Sequence, residues 1–131
     1  MTTATVPADH LDLANAPVIA TLTTIGSSGY PQSSAVWFIH EDGVFRTSLV
    51  TERQKYKNLV KNPKATFFII NPENVFQTLE VRGDVTIEPD DDHSFVRHIF
   101  AHYGTSPEQI NVPMEGRVKV TLTPTRIRTN S

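Results

Sequence analysis

The feature that most constrains the fold is a succession of short segments rich in β-branched and aromatic residues, separated by clusters of glycine, proline, serine and acidic residues. Such segments predict strands, and the clusters between them predict tight turns. Three strands are predicted in the first half of the chain, PVIATLTTI, QSSAVWFIH (32–40) and VFRTSLV (44–50). Because a parallel crossover needs a dozen or more residues, strands this close together predict an antiparallel meander.

Three further strands are predicted in the second half. KATFFIIN (64–71) is the most apolar segment, and we expect it in the centre of the sheet. FQTLEVRGDVTIEP (76–89) predicts a long strand in which Gly83 marks a bulge or sharp bend, and RVKVTLTPTRIR (117–128) predicts the last strand. Six strands with two or three short helices predict a mainly β fold, a small and mostly antiparallel six-stranded β-barrel. An open α+β sheet is the alternative.

Helices are predicted between these strands. ADHLDLAN predicts a short helix after a loose tail over residues 1–7. TERQKYKNL (51–59) predicts a second helix, with a capping box of Thr51 and Gln54 and a buried face of Tyr56, Leu59 and Val60.

The segment after the long strand predicts one more helix. Asp90, Asp91 and Asp92 supply the acidic start that a helix dipole favours, and Gly104 is a plausible stop. TSPEQINVPMEG, which follows, predicts a loop.

Length, charge and composition restrict the function. A chain of 131 residues can bury one core, so we expect a single domain over residues 1–131. The net charge of -2 argues against nucleic-acid binding, and the absence of cysteine excludes disulfides, iron–sulfur clusters and thiol catalysis. The sequence has no signal-peptide pattern and no apolar segment of membrane-spanning length, so we expect a cytoplasmic protein with no membrane partner.

The start of the second helix carries two cations that the helix dipole disfavours. Arg53 and Lys55 lie in or beside the first turn, where acidic side chains are preferred. A bound anion explains them, because the free backbone N–H groups, the dipole and both side chains would point at it. The alternative is that both are solvated surface charges.

Metal and catalytic motifs are weak in this sequence. His98 and His102 have the i,i+4 spacing of two metal ligands, but HIFAH lacks the glutamate of H-E-x-x-H and no third ligand is obvious, so we predict no metal site. Neither G-x-S-x-G, G-x-G-x-x-G nor a P-loop occurs, and the catalytic residues are unknown at this stage.

Three patches of small polar and aromatic residues remain as candidate binding sites. Small hydroxyl residues let a flat ring approach the backbone and offer hydrogen bonds to it. The patches are Gln32, Ser33, Ser34, Val36 and Trp37; Thr47 and Ser48; and Phe76, Gln77 and Thr78.

These patches, in this order, resemble the flavin/deazaflavin split-barrel superfamily, the pyridoxamine-phosphate-oxidase-like fold. The closer resemblance is to its actinobacterial branch of deazaflavin (coenzyme F-420)-dependent reductases. It is carried by PVIATLTTIGSSGYPQSSAVWF, GVFRTSLVTERQKYKNLVKNPKATFFI and LEVRGDVTI, and covers roughly residues 11–128. It implies an FMN-binding type of split barrel and an oxidoreductase that transfers a hydride between F-420 and a small organic acceptor.

The resemblance also implies roles for the patches. Arg53, Lys55 and Asn58 match the segment that binds the cofactor phosphate, and Thr47 and Ser48 assist them. On a helical wheel Asn58 points away from the predicted buried face, so a capping or surface position is its alternative. The strand from Gln32 to Trp37 lies beside the ring system. In many members of the superfamily the residues that match Phe76, Gln77 and Thr78 come from the partner subunit, because the cofactor groove is built at a dimer interface, so we expect a homodimer.

Two alternatives remain open. FMN shares the ring, ribityl and phosphate architecture of F-420, so an FMN-dependent oxidase or reductase of the same fold fits the same residues. A non-catalytic split barrel that binds a cofactor or haem is the other, with His40, His98 or His102 as candidate axial ligands.

Overall fold

Seven strands form one antiparallel sheet in the computed structural model, which describes residues 3–130. Across the sheet their order is β2-β1-β5-β6-β7-β4-β3, and no pairing joins β2 to β3 among the described residues, so the barrel is not closed. The strands are β1 (Ala20–Ile25), β2 (Pro31–Val36), β3 (Ile39–Glu41), β4 (Val44–Val50), β5 (Lys64–Asn71), β6 (Asn74–Pro89) and β7 (Arg117–Asn130).

The segment 32–40, predicted as one strand, is two strands on opposite edges of the sheet. Strand β2 ends at Val36, and β3 begins at Ile39 beside β4. The break falls on Trp37 and Phe38, because the Phe38 side chain is fully buried in the main core whereas Trp37 packs on a separate helix. The predicted count of six strands is therefore corrected to seven, and the mainly β split-barrel prediction is confirmed.

The main core is formed by side chains of the sheet together with the N-terminal segment and Leu59 of the helix that follows β4. Aromatic and branched side chains that alternate along β1, β4, β5, β6 and β7 fill it, as the period of two in a strand requires. Strand β6 is the central strand of the seven and β5 lies beside it, so the predicted central position of β5 is off by one strand. The largest fully buried side chains of the main core are Phe38, Phe45, Phe67, Leu22, Leu59, Ile69, Leu79 and Leu122.

Gly83 sits at the predicted irregularity of the long strand. The β6–β7 register shifts between Arg82 and Gly83. A Cβ atom at Gly83 would lie 2.2 Å from the carbonyl oxygen of Thr123, so only glycine allows β7 to approach this closely.

Four α-helices accompany the sheet. They are α1 (Leu11–Ala14), preceded by a 3-10 turn at Ala8–His10, α2 (Gln54–Lys61), α3 (Ser94–His102) and α4 (Pro107–Ile110). Helix α4 lies inside the segment that the sequence predicted as a loop.

The start of α2 differs from its prediction. Arg53 occupies the N-cap position, and no side chain caps the helix. The predicted capping box is wrong, because the Gln54 amide instead donates to Asn58 Oδ1 at 2.9 Å. Val60 is 58% exposed, so it does not belong to the buried face.

Helix α3 begins at Ser94, so the three predicted aspartates precede it and no acidic residue lies in its first turn. The buried Asp90 carboxylate accepts hydrogen bonds from the backbone N–H groups of Phe95 and Val96, at 3.0 and 2.9 Å. Gly104, with a φ of 78°, follows the helix end. The apolar face of α3 forms a second, smaller core with Ile39, and Trp37 packs against it.

The N-terminal segment predicted as a loose tail begins outside the described residues. Its described part, residues 3–7, has no regular secondary structure. The Ala4 N–H donates to the carbonyl oxygen of Pro124 at 2.9 Å, and Val6 is buried in the main core.

His10 joins the 3-10 turn to the end of the last strand. The residue is 2% exposed. Nδ1 lies 2.9 Å from Asp9 Oδ1, and Nε2 lies 2.9 Å from the carbonyl oxygen of Asn130. Because both ring nitrogens face acceptors, the hydrogen bond to Asp9, followed by that to Asn130, raises the pKa of His10.

We expect this imidazolium to make stability depend on pH. A pKa raised in the folded state contributes stability that is fully present below the unfolded pKa, about 6.5, and lost as pH rises through the folded pKa. Urea unfolding at a series of pH values should therefore give a free energy of unfolding that falls above about pH 6.5 in the wild type. The fall should be absent in His10→Gln and retained in His102→Gln; a wild type without the fall would contradict the assignment.

Candidate functional site

A groove of about 870 Å³ opens beside the point where β2 ends. Its walls come from the ends of β2 and β4, the start of α2, helix α3 and the segment 112–117. One end of the groove is cationic and the other is apolar, and the two ends have different structural origins.

Three cations from two elements distant in sequence form the cationic end. Arg53 and Lys55 come from the start of α2, and Arg117 comes from the start of β7. Lys55 Nζ donates to Ser34 Oγ at 3.1 Å, and Arg117 Nη1 donates to Ser48 Oγ at 3.3 Å. Glu52 and Glu115 also line the groove, but within residues 3–130 no carboxylate lies within salt-bridge distance of any of these three cations.

Burial and repulsion by Arg53 destabilise the charged forms of Lys55 and Arg117. Burial, and then the positive charge of Arg53, lower the pKa of Lys55. Burial also lowers the pKa of Arg117; the nearby Asp90 carboxylate raises it and Arg53 lowers it further. A bound anion would relieve the repulsion among the three, which is the electrostatic signature of an anion site.

The start of α2 adds backbone donors to these cations. Its N-terminus carries the positive end of the helix dipole, and no side chain caps it in the described structure. Uncapped N–H groups together with arginine and lysine side chains form a site suited to a phosphate.

Aromatic and aliphatic side chains form the apolar end. Trp37 stacks on Tyr103 with ring centroids 4.3 Å apart and an interplanar angle of 5°. Phe100 meets the Trp37 ring edge-on at 4.8 Å. Ile99, Val112 and Pro113 complete this wall. A flat, largely apolar ring fits such a surface.

Tyr103 supports this wall through its hydroxyl group. The hydroxyl donates to the carbonyl oxygen of Val18 at 2.6 Å and accepts from the Phe38 N–H at 3.1 Å. Burial raises the pKa of Tyr103 to about 12. A hydroxyl held in this way is a structural anchor and is poorly suited to donate a proton to a substrate.

The groove brings together five of the residues predicted to bind a cofactor. Val36, Trp37, Ser48, Arg53 and Lys55 all line it. Ser34 joins them through its hydrogen bond to Lys55.

Four other predicted residues have different surroundings. Asn58 is 4% exposed, so the expected surface position is wrong; its amide donates to Thr24 Oγ1 at 3.0 Å and to Gln32 Oε1 at 2.7 Å. This buried network holds α2 against β1 and β2. Ser33 is exposed and bonds to Thr23, while the buried Thr47 hydroxyl donates to the Trp37 carbonyl oxygen at 2.6 Å.

The third predicted patch lies at the β5–β6 turn, outside the groove lining. Phe76 is 70% exposed, and the Gln77 side chain accepts a hydrogen bond from Asn71 at 2.7 Å. Thr78 pairs across the sheet with Ile70. Within this chain, therefore, the patch does not meet Arg53 and Lys55.

Comparison with known proteins identifies the family. The sequence matches the family described as pyridoxamine 5'-phosphate oxidase over residues 6–131. The chain belongs to this pyridoxamine 5'-phosphate oxidase family.

Solved structures of the same fold support the family assignment. A structure of an F-420 reductase is 31% identical, with a TM-score of 0.83, 94% of this chain covered and 98% of that chain. A conserved hypothetical protein from Mycobacterium tuberculosis is 24% identical, with a TM-score of 0.79, 98% of this chain covered and 86% of that chain. HutZ, a haem storage protein from Vibrio cholerae, shares the fold at 14% identity, a TM-score of 0.73, and coverage of 97% and 96% of the two chains. A search of curated protein sequences found no match.

Sequence reasoning missed one cation of the groove in this family member. Arg117 follows Gly116, whose φ is 76°, and lies more than sixty residues beyond Lys55 in the chain. Pairing of β4 with β7 brings it opposite Val50, next to the start of α2. The available signal was a basic residue directly after a glycine at the start of a predicted strand. Only the pairing of β4 with β7 shows that this residue lies beside Arg53 and Lys55.

The histidines considered as metal ligands lie apart from the groove lining. His98 Nε2 lies 3.1 Å from Glu41 Oε2 on the neighbouring strand. No group of three or more histidine, aspartate or glutamate side chains suited to a metal occurs within residues 3–130. Likewise, no helix in this range is long and apolar enough to cross a membrane.

The Tyr103 anchor can be tested by removing one atom. Tyr103→Phe keeps the ring stack on Trp37 but leaves the Phe38 N–H and Val18 carbonyl without this partner, so unfolding should require about 1–3 kcal/mol less free energy. Urea unfolding followed by Trp37 fluorescence measures this. Tyr30→Phe, at a residue 77% exposed, is the matched control and should leave stability unchanged. Equal stability of the Tyr103 variant and the wild type would contradict the anchor.

Proposed function

We propose that the protein binds coenzyme F-420 in the groove and transfers a hydride between the reduced cofactor and a small organic acceptor. The observation that carries this proposal is the cationic end of the groove, where Arg53, Lys55 and Arg117 converge at an uncapped helix start beside an aromatic wall. The 31% identity to an F-420 reductase over nearly the whole chain favours F-420 within the family.

The residues of the groove fit a phosphate-bearing cofactor with a flat ring. Arg53, Lys55 and Arg117 would hold the phosphate, and the hydroxyl groups of Ser34 and Ser48 already contact two of these cations. The end of β2 and the Trp37 ring would lie beside the ring system.

The protein's own part in the reaction is to bind, orient and exclude water. A bound deazaflavin supplies the hydride chemistry itself. The cationic end fixes one end of the cofactor, and the apolar wall keeps water from the reacting face. Tyr103 takes no part in proton transfer, because its hydroxyl is engaged with the backbone of Val18 and Phe38.

FMN is the second candidate cofactor. It also presents a tricyclic ring, a ribityl chain and a phosphate, so the same cations and the same wall fit it, and the family match supports it equally. The haem alternative has less support, because His40, His98 and His102 are not among the residues that line the groove.

We also propose that a second copy of the chain completes the site. The β5–β6 turn exposes Ile70, Val75 and Phe76, by 43%, 63% and 70%. An exposed apolar cluster of this kind favours a protein partner. A homodimer would let the partner bring its Phe76, Gln77 and Thr78 to the groove.

The phosphate anchor is tested by Lys55→Ala. Loss of a charge-assisted contact should weaken F-420 binding by about 1.5–3 kcal/mol, or roughly tenfold to a hundredfold. Titration with F-420 and, in parallel, with FMN, followed by the quenching of Trp37 fluorescence, measures this.

Lys57→Ala is the matched control. Its ammonium lies on the same helix but outside the groove lining, so both affinities should stay at the wild-type value. An unchanged affinity in a folded Lys55→Ala variant would show that Lys55 does not hold the phosphate. Tighter binding of FMN than of F-420 would move the protein to the flavin alternative.

The dimer proposal is tested by Phe76→Ser. Sedimentation velocity should give a dimer for the wild type and a larger monomer fraction for the variant, because the exposed apolar cluster loses its largest side chain. Ile110→Ser, at a residue 48% exposed on α4, is the control and should remain dimeric. A monomeric wild type would rule the proposal out.

A further inference from the structure

Arg117 lies where several groove-lining elements meet. Its backbone carbonyl accepts from the Asp90 N–H at 3.0 Å, where the chain leaves β6. The carbonyl of the preceding Gly116 accepts from the Thr51 N–H at 3.0 Å, just before α2. Its side chain contacts Ser48 on β4. The backbone at Arg117 is therefore fixed to β6 and to the segment before α2, and its side chain is fixed to β4.

The same side chain holds one wall of the groove. Arg117 Nε donates to the carbonyl oxygen of Pro113 at 2.8 Å. Pro113 belongs to the segment 111–116, which we call the wall segment. Two residues of positive φ, Asn111 at 62° and Gly116 at 76°, bound it. Val112 and Met114 pack against the second core, beside Trp37.

The guanidinium group has donors left for a ligand. Arginine carries five N–H donors. Two of them are used within residues 3–130, one by Pro113 and one by Ser48. The remaining three allow the side chain to bind an anion in the groove while Nε stays on Pro113.

The positive charge of Arg53 determines whether anion binding strengthens or weakens the contact between Arg117 and Pro113. Arg53 and Arg117 both line the cationic end and repel each other, so the position of Arg117 is opposed while no anion is bound. An anion between them reverses this, because it attracts both side chains. Binding of an anion should therefore strengthen the contact of Arg117 with Pro113.

We propose that Arg117 is a positioning residue that couples the phosphate of the bound cofactor to the wall segment. The phosphate fixes the guanidinium, and the guanidinium fixes the Pro113 carbonyl, so the wall beside Trp37 becomes ordered when the cofactor binds. This inference rests on the proposed function. It implies an order of binding in which the cofactor precedes the acceptor, because the acceptor meets a complete wall only after the phosphate is in place.

Hydrogen exchange of the full-length chain tests the coupling. The exchanging amides are those of Asn111, Val112, Met114, Glu115 and Gly116, since Pro113 has none. In the wild type, saturating F-420 should slow their exchange by about fivefold or more, the factor that a coupling free energy of about 1 kcal/mol gives. Unchanged exchange with F-420 bound would overturn the inference and leave the proposed function standing.

Two substitutions separate charge from geometry. Arg117→Lys keeps the charge but not the fork of donors, so it should keep most of the F-420 affinity and lose the slowing of exchange. Arg117→Gln should lose both. Arg126→Gln, at an exposed arginine of β7 outside the groove, should behave as the wild type.

The outcomes are distinguishable. Full slowing in a folded Arg117→Lys variant would overturn the coupling through Pro113, and so would an Arg126→Gln variant that loses the slowing. If neither F-420 nor FMN binds the wild type, the proposed function itself fails and the inference fails with it. If Arg117→Gln does not fold, the Lys variant still decides the question.

Discussion

The hydroxyl of Tyr103 fixes the point on which the rest of the site depends. There the chain leaves one edge of the sheet and crosses to the other, and the backbone of Trp37 and Phe38 has no sheet partner. Tyr103 bonds to the Phe38 N–H, and Thr47 donates to the Trp37 carbonyl, so the crossing is satisfied by side chains. As a result of this crossing, the Phe38 side chain enters the main core while the Trp37 side chain faces the groove.

The groove brings together three cations, and the two carboxylates that also line it, Glu52 and Glu115, form no salt bridge with them within residues 3–130. Strand pairing brings Arg117 to the start of α2, beside Arg53 and Lys55, and burial lowers the pKa of both Lys55 and Arg117. Close placement of these three cations favours anion binding, because an anion would reduce the repulsion among them. The aromatic wall around Trp37, where the rings of Tyr103 and Phe100 pack, offers a surface that suits a flat ring.

The sequence predicted the parts of the fold that local patterns determine. The bounds of β4 and β5 and the bend at Gly83 were predicted correctly, whereas α3 begins at Ser94, after the predicted aspartates. The break at Trp37 was missed because no turn residue marks it. It arises because the Phe38 side chain packs in the main core and the neighbouring Trp37 side chain packs on α3. Asn58 was misplaced because a helical wheel assumes an apolar buried face, and Arg117 was missed because only strand pairing brings it to α2.

The most direct test of the central claim compares the deazaflavin–ribityl fragment of F-420 with the same fragment carrying its phosphate. If the phosphate is held by Arg53, Lys55 and Arg117, the wild type should bind the fragment without the phosphate tenfold to a hundredfold more weakly, a loss of about 1.5–3 kcal/mol. Titration of Trp37 fluorescence with both compounds measures the difference. Equal affinity for the two compounds would contradict the claim that this cationic end anchors the cofactor.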